Sequence, residues 1–296
     1  MIVGTTPRFR QIILEVSKPL SLLFIWDVAV TAFHFYMPIK EPPLPTALFG
    51  TALALFLGFR TNAAYARWWE ARTLWGALIN ASRSITRLTL TYSKTPNGPN
   101  LAFRESVITR QMAFAHSMRC QLRGQNPRGD ISRLAGEDIA DAAMQRRNPA
   151  NVILESISGL YADALAAGRI DTIQQGVAER VLIDIANAQG GMERIKNTPL
   201  PNGFQFFPNL FSRLFCLLLP IALVETLGIA TPIGSTLISL VFLAILSIGD
   251  DLTDPFANSV HDIPLTAMST TIEIDLSQAL GRPGPEPLKP DRGILW

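Results

Sequence analysis

Three acidic residues lie close together near the carboxyl end of the chain, in the stretch GDDLTDPF. Asp250, Asp251 and Asp254 directly follow an apolar segment. Clustered carboxylates can hold a hard cation such as Ca²⁺ through oxygen ligands. Asp254 also precedes Pro255, a combination that favours the start of a turn. The stretch therefore has two interpretations, a cation site and a structural cap, of which the cap is preferred.

Other residue types that support catalysis are scattered. His34, His116 and His261 occur in different regions without a partner at metal-ligand spacing. The chain contains no phosphate-binding loop, GxSxG motif, kinase motif or zinc-protease motif. Asp27 is a stronger functional candidate, because a carboxylate inside an apolar segment is costly in lipid. Its alternative role is a structural pair with Arg60 or with a polar group of a neighbouring subunit. We predict that the chain is not an enzyme and binds no metal and no cofactor.

A third pattern lies in the apolar segment before Arg60. Thr51, Leu55 and Phe59 recur at a spacing of four residues, which places them on one face of a helix. If several copies of this helix surrounded an axis, that face would form stacked rings. Apolar rings can gate a pore by excluding water. From periodicity alone, ordinary packing is the simpler interpretation, because every face of an all-apolar helix looks alike.

The elements that must position these residues are long apolar segments. The chain has 296 residues, of which 48% are hydrophobic and 17% charged. Soluble domains of this size usually carry more charge. The apolar residues concentrate in stretches long enough, or nearly long enough, to span a bilayer, at 19–39, 44–59, 206–228 and 229–249. We predict a membrane protein with four transmembrane helices in two hairpins.

The basic residues predict the orientation of these spans. Arg8, Arg10 and Lys18 precede the first span, and several arginines follow the second. The connections within each hairpin carry no excess of positive charge. By the positive-inside rule, both termini and the middle segment are cytoplasmic in the cell inner membrane.

Charge and cysteine content exclude other classes of protein. The net charge of +2 is too small to indicate a nucleic-acid partner. Cys120 and Cys216 form neither a disulfide framework nor a metal-binding spacing, so reduced thiols are expected.

The segment between the second and third spans is predicted to be helical. Apolar residues recur at helical spacing, and Gly168 is a plausible end of one helix. Gly190 and Gly191 predict a bend in the next helix. No convincing strand pattern occurs, and the chain ends in a Pro-rich tail that we expect to be mobile. The predicted segments are 1–76 with spans 1 and 2, the cytoplasmic helical region 77–205, spans 3 and 4 at 206–249, and the carboxyl-terminal segment 250–296.

Several unusual motifs together resemble the bestrophins, specifically their bacterial homologues. They are FLGFRTNAAYARWWEARTLWG, GGMERIKNTPLP, LLPIALVE, DDLTDPF and IEIDL. They occur in the order found in that family and extend from the first span to about Leu276. The resemblance therefore covers most of the chain.

The resemblance implies an all-α membrane protein that forms a pentameric ion channel with one axial pore. It has four membrane helices per subunit and a large cytoplasmic helical region. The second span would line an apolar neck at positions that match Thr51, Leu55 and Phe59. A second, cytoplasmic constriction would lie at Ile173 in RIDTIQQG. The implied partners are four further copies of the chain, membrane lipid and small monovalent ions that cross passively.

The sequence departs from the family pattern at two places. Thr51 replaces a bulky apolar residue, so the outermost ring is less apolar. The acidic run that helps bind activating calcium in animal members is nearly lost in PFANSVHDIPL. Asp250, Asp251 and Asp254 are then a vestige of the calcium-binding region.

The sequence leaves two pairs of alternatives: anion or cation selectivity, and a channel or a non-conducting protein. Animal bestrophins favour anions, whereas a bacterial member can be cation-selective, and pore-lining acids such as Asp171 or Glu179 would favour cations. The alternative to a channel is a non-conducting membrane sensor or scaffold that binds a partner through its cytoplasmic helices.

Overall fold

The described part of the chain is almost entirely helical. The computed structural model describes residue 1 and residues 9–37, 45–92, 94–95 and 98–296. Its helices are α1 (Phe9–Tyr36), α2 (Thr46–Tyr92), α3 (Leu101–Leu122), α4 (Arg128–Ala135), α5 (Glu137–Met144), α6 (Pro149–Ala166), α7 (Thr172–Asn197), α8 (Asn202–Leu227), α9 (Thr231–Asp251) and α10 (Leu265–Ala279). Strands β1 (Lys94–Thr95) and β2 (Gly98–Pro99) form an antiparallel pair in which Lys94 lies opposite Pro99. The all-α prediction therefore holds apart from this small hairpin.

The chain divides into two compact units. Among the described residues, the apolar unit comprises 9–68 and 199–254, and the polar unit comprises residue 1, 69–198 and 255–296. Helix α2 contributes residues to both, the first part to the apolar unit and the rest to the polar unit. The four predicted segments have boundaries within several residues of these, and their assignment as domains stays a prediction.

The apolar unit packs α1, α8 and α9 against one another, with the first part of α2 beside them. Gly228 ends α8 with a φ of +53°, a backbone conformation that glycine adopts without steric cost. A short 3₁₀ turn then leads into α9. The core of the unit is formed by apolar side chains from all four helices: Val16, Leu53, Leu57, Phe215, Leu219, Leu243 and Leu246.

Three stretches within the described residues are long and apolar enough to cross a membrane. They are Val16–Tyr36, Thr46–Tyr92 and Asn202–Asp251, and the last of these contains both α8 and α9. Many large apolar side chains on α1, α8 and α9 are exposed, including Leu22, Phe33, Ile233 and Leu237. Exposed apolar side chains on long helices are expected where lipid replaces water as the solvent. The predicted connection at residues 40–45 lies largely outside the described residues.

The polar unit is built around α3, which contacts α4, α6, α7 and α10. Residues 111–118 of α3 are buried without interruption, so this helix has no solvent-exposed face over two turns. The later part of α2 contributes the fully buried Trp75, Leu78 and Ile85. The unit therefore has an apolar core of its own.

The structure corrects the bend that Gly190 and Gly191 predicted. Helix α7 continues through both residues to Asn197. A Cβ at Gly191 would lie 2.8 Å from Leu74 Cδ1, so the glycine leaves room for the Leu74 side chain of α2. By contrast, Gly168 follows the end of α6 with a φ of +65°, as predicted.

The Pro-rich tail has specific contacts in the polar unit. Gly284 lies so close to α10 that a Cβ there would be 2.9 Å from Ile274 Cα. The Ala267 amide donates a hydrogen bond to the Trp296 carbonyl at 2.7 Å. These contacts correct the expectation of a wholly mobile tail.

Candidate ion pathway

The predicted neck residues form one exposed stripe on α2. Leu55 is 61% exposed and Phe59 is 63% exposed, and Thr51 is exposed on the same face. We call Thr51, Leu55 and Phe59 the α2 stripe. The hydroxyl of Thr51 donates to the Ala47 carbonyl at 2.8 Å, one turn earlier in the same helix. The structure thus brings the three residues onto one surface that is free of charged side chains.

The opposite face of α2 fixes the direction in which the stripe points. Leu53 and Leu57 are buried in the core of the apolar unit, 4% and 1% exposed. Gly50 lies against the Phe215 ring of α8, where a Cβ would be 3.0 Å from Cζ. Rotation of α2 would remove the two leucines from this core. The stripe therefore faces away from α8 and α9 for a packing reason.

Arg60 attaches the end of this apolar segment to the end of α9. Its side chain is 1% exposed, and it forms an ion pair with Asp250. Its Nη1 also donates to the Leu246 carbonyl at 3.4 Å. About two turns later in α2, Arg67 Nε donates to the Thr253 carbonyl at 3.0 Å. Two arginines of α2 thus bind the carboxyl-terminal end of α9 through an ion pair and hydrogen bonds.

Gly249 makes room for this arrangement. A Cβ at this position would lie 2.8 Å from Arg60 Nη1 and 3.4 Å from Thr61 Oγ1. The guanidinium consequently occupies the space that a side chain at 249 would fill.

This ion pair was not predicted from the sequence. The sequence suggests Arg60 or a polar group of a neighbouring subunit as the partner of Asp27, and the pairing with Arg60 is wrong, since Arg60 binds Asp250. Thr236 of α9 donates to Asp27 Oδ2 instead, at 2.8 Å. The sequence does contain a signal for the Arg60–Asp250 pair, because the predicted topology places the carboxyl ends of the second and fourth spans at the same membrane face. Arg60 and Asp250 stand at those two ends.

The acidic stretch does not form a metal cluster in the structure. Within the described ranges, no group of three or more His, Cys, Asp or Glu side chains has the geometry to hold a metal ion. Asp250 lies in the last turn of α9 and pairs with Arg60, while its carbonyl accepts from the Thr253 amide at 3.1 Å. The geometry favours the structural role of Asp250.

Ile173 lies in the polar unit, in the first turn of α7, and is 77% exposed. A capping box holds this turn. Asp171 Oδ1 accepts from the Gln174 amide at 2.7 Å, and Gln174 Oε1 accepts from the Asp171 amide at 3.1 Å. Asp171 is therefore a helix cap. The other acid considered, Glu179, accepts a hydrogen bond from Ser158 of α6 at 3.3 Å.

A carboxylate near the other end of α7 joins three helices. Glu193 Oε1 accepts hydrogen bonds from the side-chain amides of Gln121, Asn148 and Gln189 at 3.0, 2.8 and 2.9 Å. Gln121 belongs to α3 and Asn148 caps α6. The network fixes the position of the helix that carries Ile173.

A second network joins α3, α4 and α10 of the polar unit around the buried side chains of His116 and Glu273. His116 Nε2 lies 2.7 Å from Glu273 Oε2, and Arg133 donates to both carboxylate oxygens of Glu273 at 2.6 and 3.0 Å. Burial opposes the ionisation of Glu273, but the bonds from His116 and Arg133 outweigh it and lower the pKa of Glu273 to about 2. Elsewhere in the unit, burial raises the pKa of Tyr161 to about 12. We assign these groups to the folding of the unit.

Comparisons with known proteins cover nearly the whole chain. The family profile described as "Bacterial/Fungal Bestrophin protein" matches residues 8–278. The "Voltage-dependent anion channel-forming protein YneE" of Escherichia coli K12 is 36% identical over 273 residues, which cover 90% of this chain and 88% of that protein. A protein of Mesorhizobium japonicum with the same descriptive name, mll4386, is 34% identical over 248 residues, covering 84% of this chain and 78% of the relative. A crystal structure of a bacterial bestrophin homologue from Klebsiella pneumoniae superimposes with a TM-score of 0.85 at 31% identity, covering 90% of this chain and 99% of that one.

Proposed function

Because this chain belongs to the bacterial and fungal bestrophin family, we propose that it forms an ion channel in the membrane. The observation that carries the proposal is the exposed α2 stripe. Four membrane helices per subunit, α1, the first part of α2, α8 and α9, would cross the bilayer. Both termini and the polar unit would be cytoplasmic, and the bilayer would be the cell inner membrane.

The stripe becomes a neck when five copies surround an axis. Each copy contributes a threonine, a leucine and a phenylalanine at successive levels of α2, so the pore is lined by three stacked rings. Rings of Leu55 and Phe59 offer water no hydrogen bond, and a narrow pore through these rings can lose its water. A small change in the diameter of these rings would therefore switch conduction. A homopentamer with lipid around its outer helices is the assembly we propose.

Ile173 would form a second constriction at the cytoplasmic mouth. Its exposure and its place beside the Asp171 cap favour a fixed apolar ring at the start of α7. Because the capping box holds the backbone of this turn, the ring would keep its diameter better than a loop would.

The proposed permeant species are small monovalent ions that move passively. The α2 stripe is uncharged, so ion sign would depend on charged residues elsewhere along the pathway. The relatives described above are named anion channel-forming proteins. Anion selectivity of this chain is one outcome of the bilayer experiment described below. We propose no calcium gating, because Asp250 of the acidic stretch is bound to Arg60.

The decisive experiment is a planar-bilayer recording of the purified protein under a tenfold gradient of KCl. A current with a defined reversal potential supports the channel and gives its ion sign directly. For an ideally selective pore the reversal potential lies close to the equilibrium potential of the permeant ion. Absence of current from protein that is shown by crosslinking to be assembled in the bilayer would overturn the channel and support the scaffold.

A further inference from the structure

Asp27 is a buried acid that the proposed pore does not use. It lies in the second half of α1, and its side chain is 0% exposed within the apolar unit. Thr236 donates to Oδ2, whereas Oδ1 has no hydrogen-bond partner among the described residues. A buried carboxylate oxygen without a partner is costly and calls for an explanation.

The hydroxyl groups next to Asp27 do not satisfy this oxygen. Ser235 Oγ lies within hydrogen-bonding reach of the carboxylate, while the hydrogen of its hydroxyl is directed to the Thr231 carbonyl at 2.7 Å. Thr31 likewise donates to the backbone carbonyl of Asp27 at 2.7 Å. Each hydroxyl has a single hydrogen, so these oxygens present only lone pairs to their surroundings. The space between α1 and α9 is therefore rich in acceptors.

No positively charged side chain balances Asp27 in the part of the chain that the structure describes. Arg60 pairs with Asp250, and Asp27 takes part in no ion pair. Cys216 of α8 is a titratable group near the carboxylate, and a thiol supplies no positive charge. A cation at Oδ1 would satisfy the free oxygen and would balance the charge of an ionised Asp27.

We propose that Asp27 and Ser235 bind a small monovalent metal cation between α1 and α9. Asp27 Oδ1 and Ser235 Oγ would be two of its oxygen ligands, the type that hard cations prefer. The bound cation would neutralise the carboxylate and tie the two helices together. This site is separate from the α2 stripe, so its existence does not depend on conduction.

Sodium is the probe for this site. The thermal midpoint Tm of the full-length protein in detergent is measured while NaCl replaces N-methyl-D-glucamine chloride at constant ionic strength. We expect a saturable rise of Tm, of about 4 °C at ten times the dissociation constant. In Asp27→Asn the rise should disappear, because the charged ligand is lost. Glu225→Gln, which alters an exposed acid of the same unit, should keep it.

Ser235→Ala provides a second test if Asp27→Asn does not fold. It keeps the carboxylate and removes one oxygen ligand, so the sodium concentration at half of the effect should rise. A wild-type Tm that is independent of sodium would overturn the proposal and indicate a proton on Asp27. A sodium response that persists unchanged in both variants would also overturn it, because the ion would then bind elsewhere.

Discussion

Arg60 and Asp250 form an ion pair that joins α2 to the last turn of α9, and the two partners differ in environment. Arg60 is 1% exposed, whereas the Asp250 side chain is 52% exposed. The arginine is a buried charge whose balancing group lies at the edge of the solvent. Since Arg60 immediately follows Phe59, this pair holds in place the end of the α2 stripe that Phe59 forms.

Gly249→Ala should destabilise the protein through this pair. The new Cβ would lie 2.8 Å from Arg60 Nη1, so the guanidinium that pairs with Asp250 must shift. Overpacking of this kind costs about 1–3 kcal/mol, which a thermal or denaturant unfolding midpoint would report. Gly58→Ala is the matched control, because nothing lies within 4 Å of a Cβ there. Equal midpoints for the two variants would refute the role assigned to Gly249.

Replacing Leu55 and Phe59 by alanine should increase ion flux severalfold. Both changes shorten side chains that would narrow the neck, and both residues are exposed in the subunit. Flux is measured as the loss of an ion gradient from liposomes. Leu237→Ala on α9 is the control, since Leu237 is 62% exposed but lies off the stripe. If wild type and double variant both retain the gradient, the channel proposal fails.

Acid should destabilise the polar unit through Glu273. Its pKa is lowered from 4.5 to about 2 in the folded state, so the unfolded chain binds the proton more readily. The stabilisation is complete above about pH 4.5 and is lost as the pH falls towards 2. Unfolding midpoints recorded across this range should depend less on pH in Glu273→Gln. Glu286→Gln, in the exposed tail, should leave the wild-type slope intact.

Glu193→Ala should destabilise the packing of α7 by about 3 kcal/mol, because three amide groups lose their shared acceptor. Glu193→Gln keeps an acceptor oxygen and should cost less. Chemical denaturation of the two variants compares them directly. A glutamine variant as unstable as the alanine variant would show that the negative charge, rather than the acceptor, matters.

Calcium should not activate the current. Asp250 is already paired with Arg60, and the sequence lacks most of the acidic run after Pro255. Bilayer currents recorded with EGTA and with added micromolar calcium should therefore agree. A calcium-activated current that is abolished by Asp251→Asn and Asp254→Asn would instead make the acidic stretch a working site.

The sequence predicted features that depend on local spacing. Thr51, Leu55 and Phe59 share a face because residues four apart always do so in a helix, and the long apolar segments became helices. It did not predict the partner of Arg60, because Asp250 lies 190 residues away and only the packing of α2 on α9 brings them together. Gly191 was misinterpreted for a related reason. A glycine in a helix can mark a bend or a close neighbour, and Leu74, the neighbour, is distant in sequence.

The Thr51 hydroxyl makes one level of the α2 stripe a hydrogen-bond acceptor without an available donor. Its hydrogen is directed to the Ala47 carbonyl at 2.8 Å, so only oxygen lone pairs face outward at this level. A dehydrating cation could replace one of its water ligands with this oxygen. A dehydrating chloride would find no O–H to solvate it along the whole stripe, since Leu55 and Phe59 have none. In the proposed pore, the Thr51 side chains would therefore offer oxygen ligands to a cation and no hydrogen-bond donor to an anion.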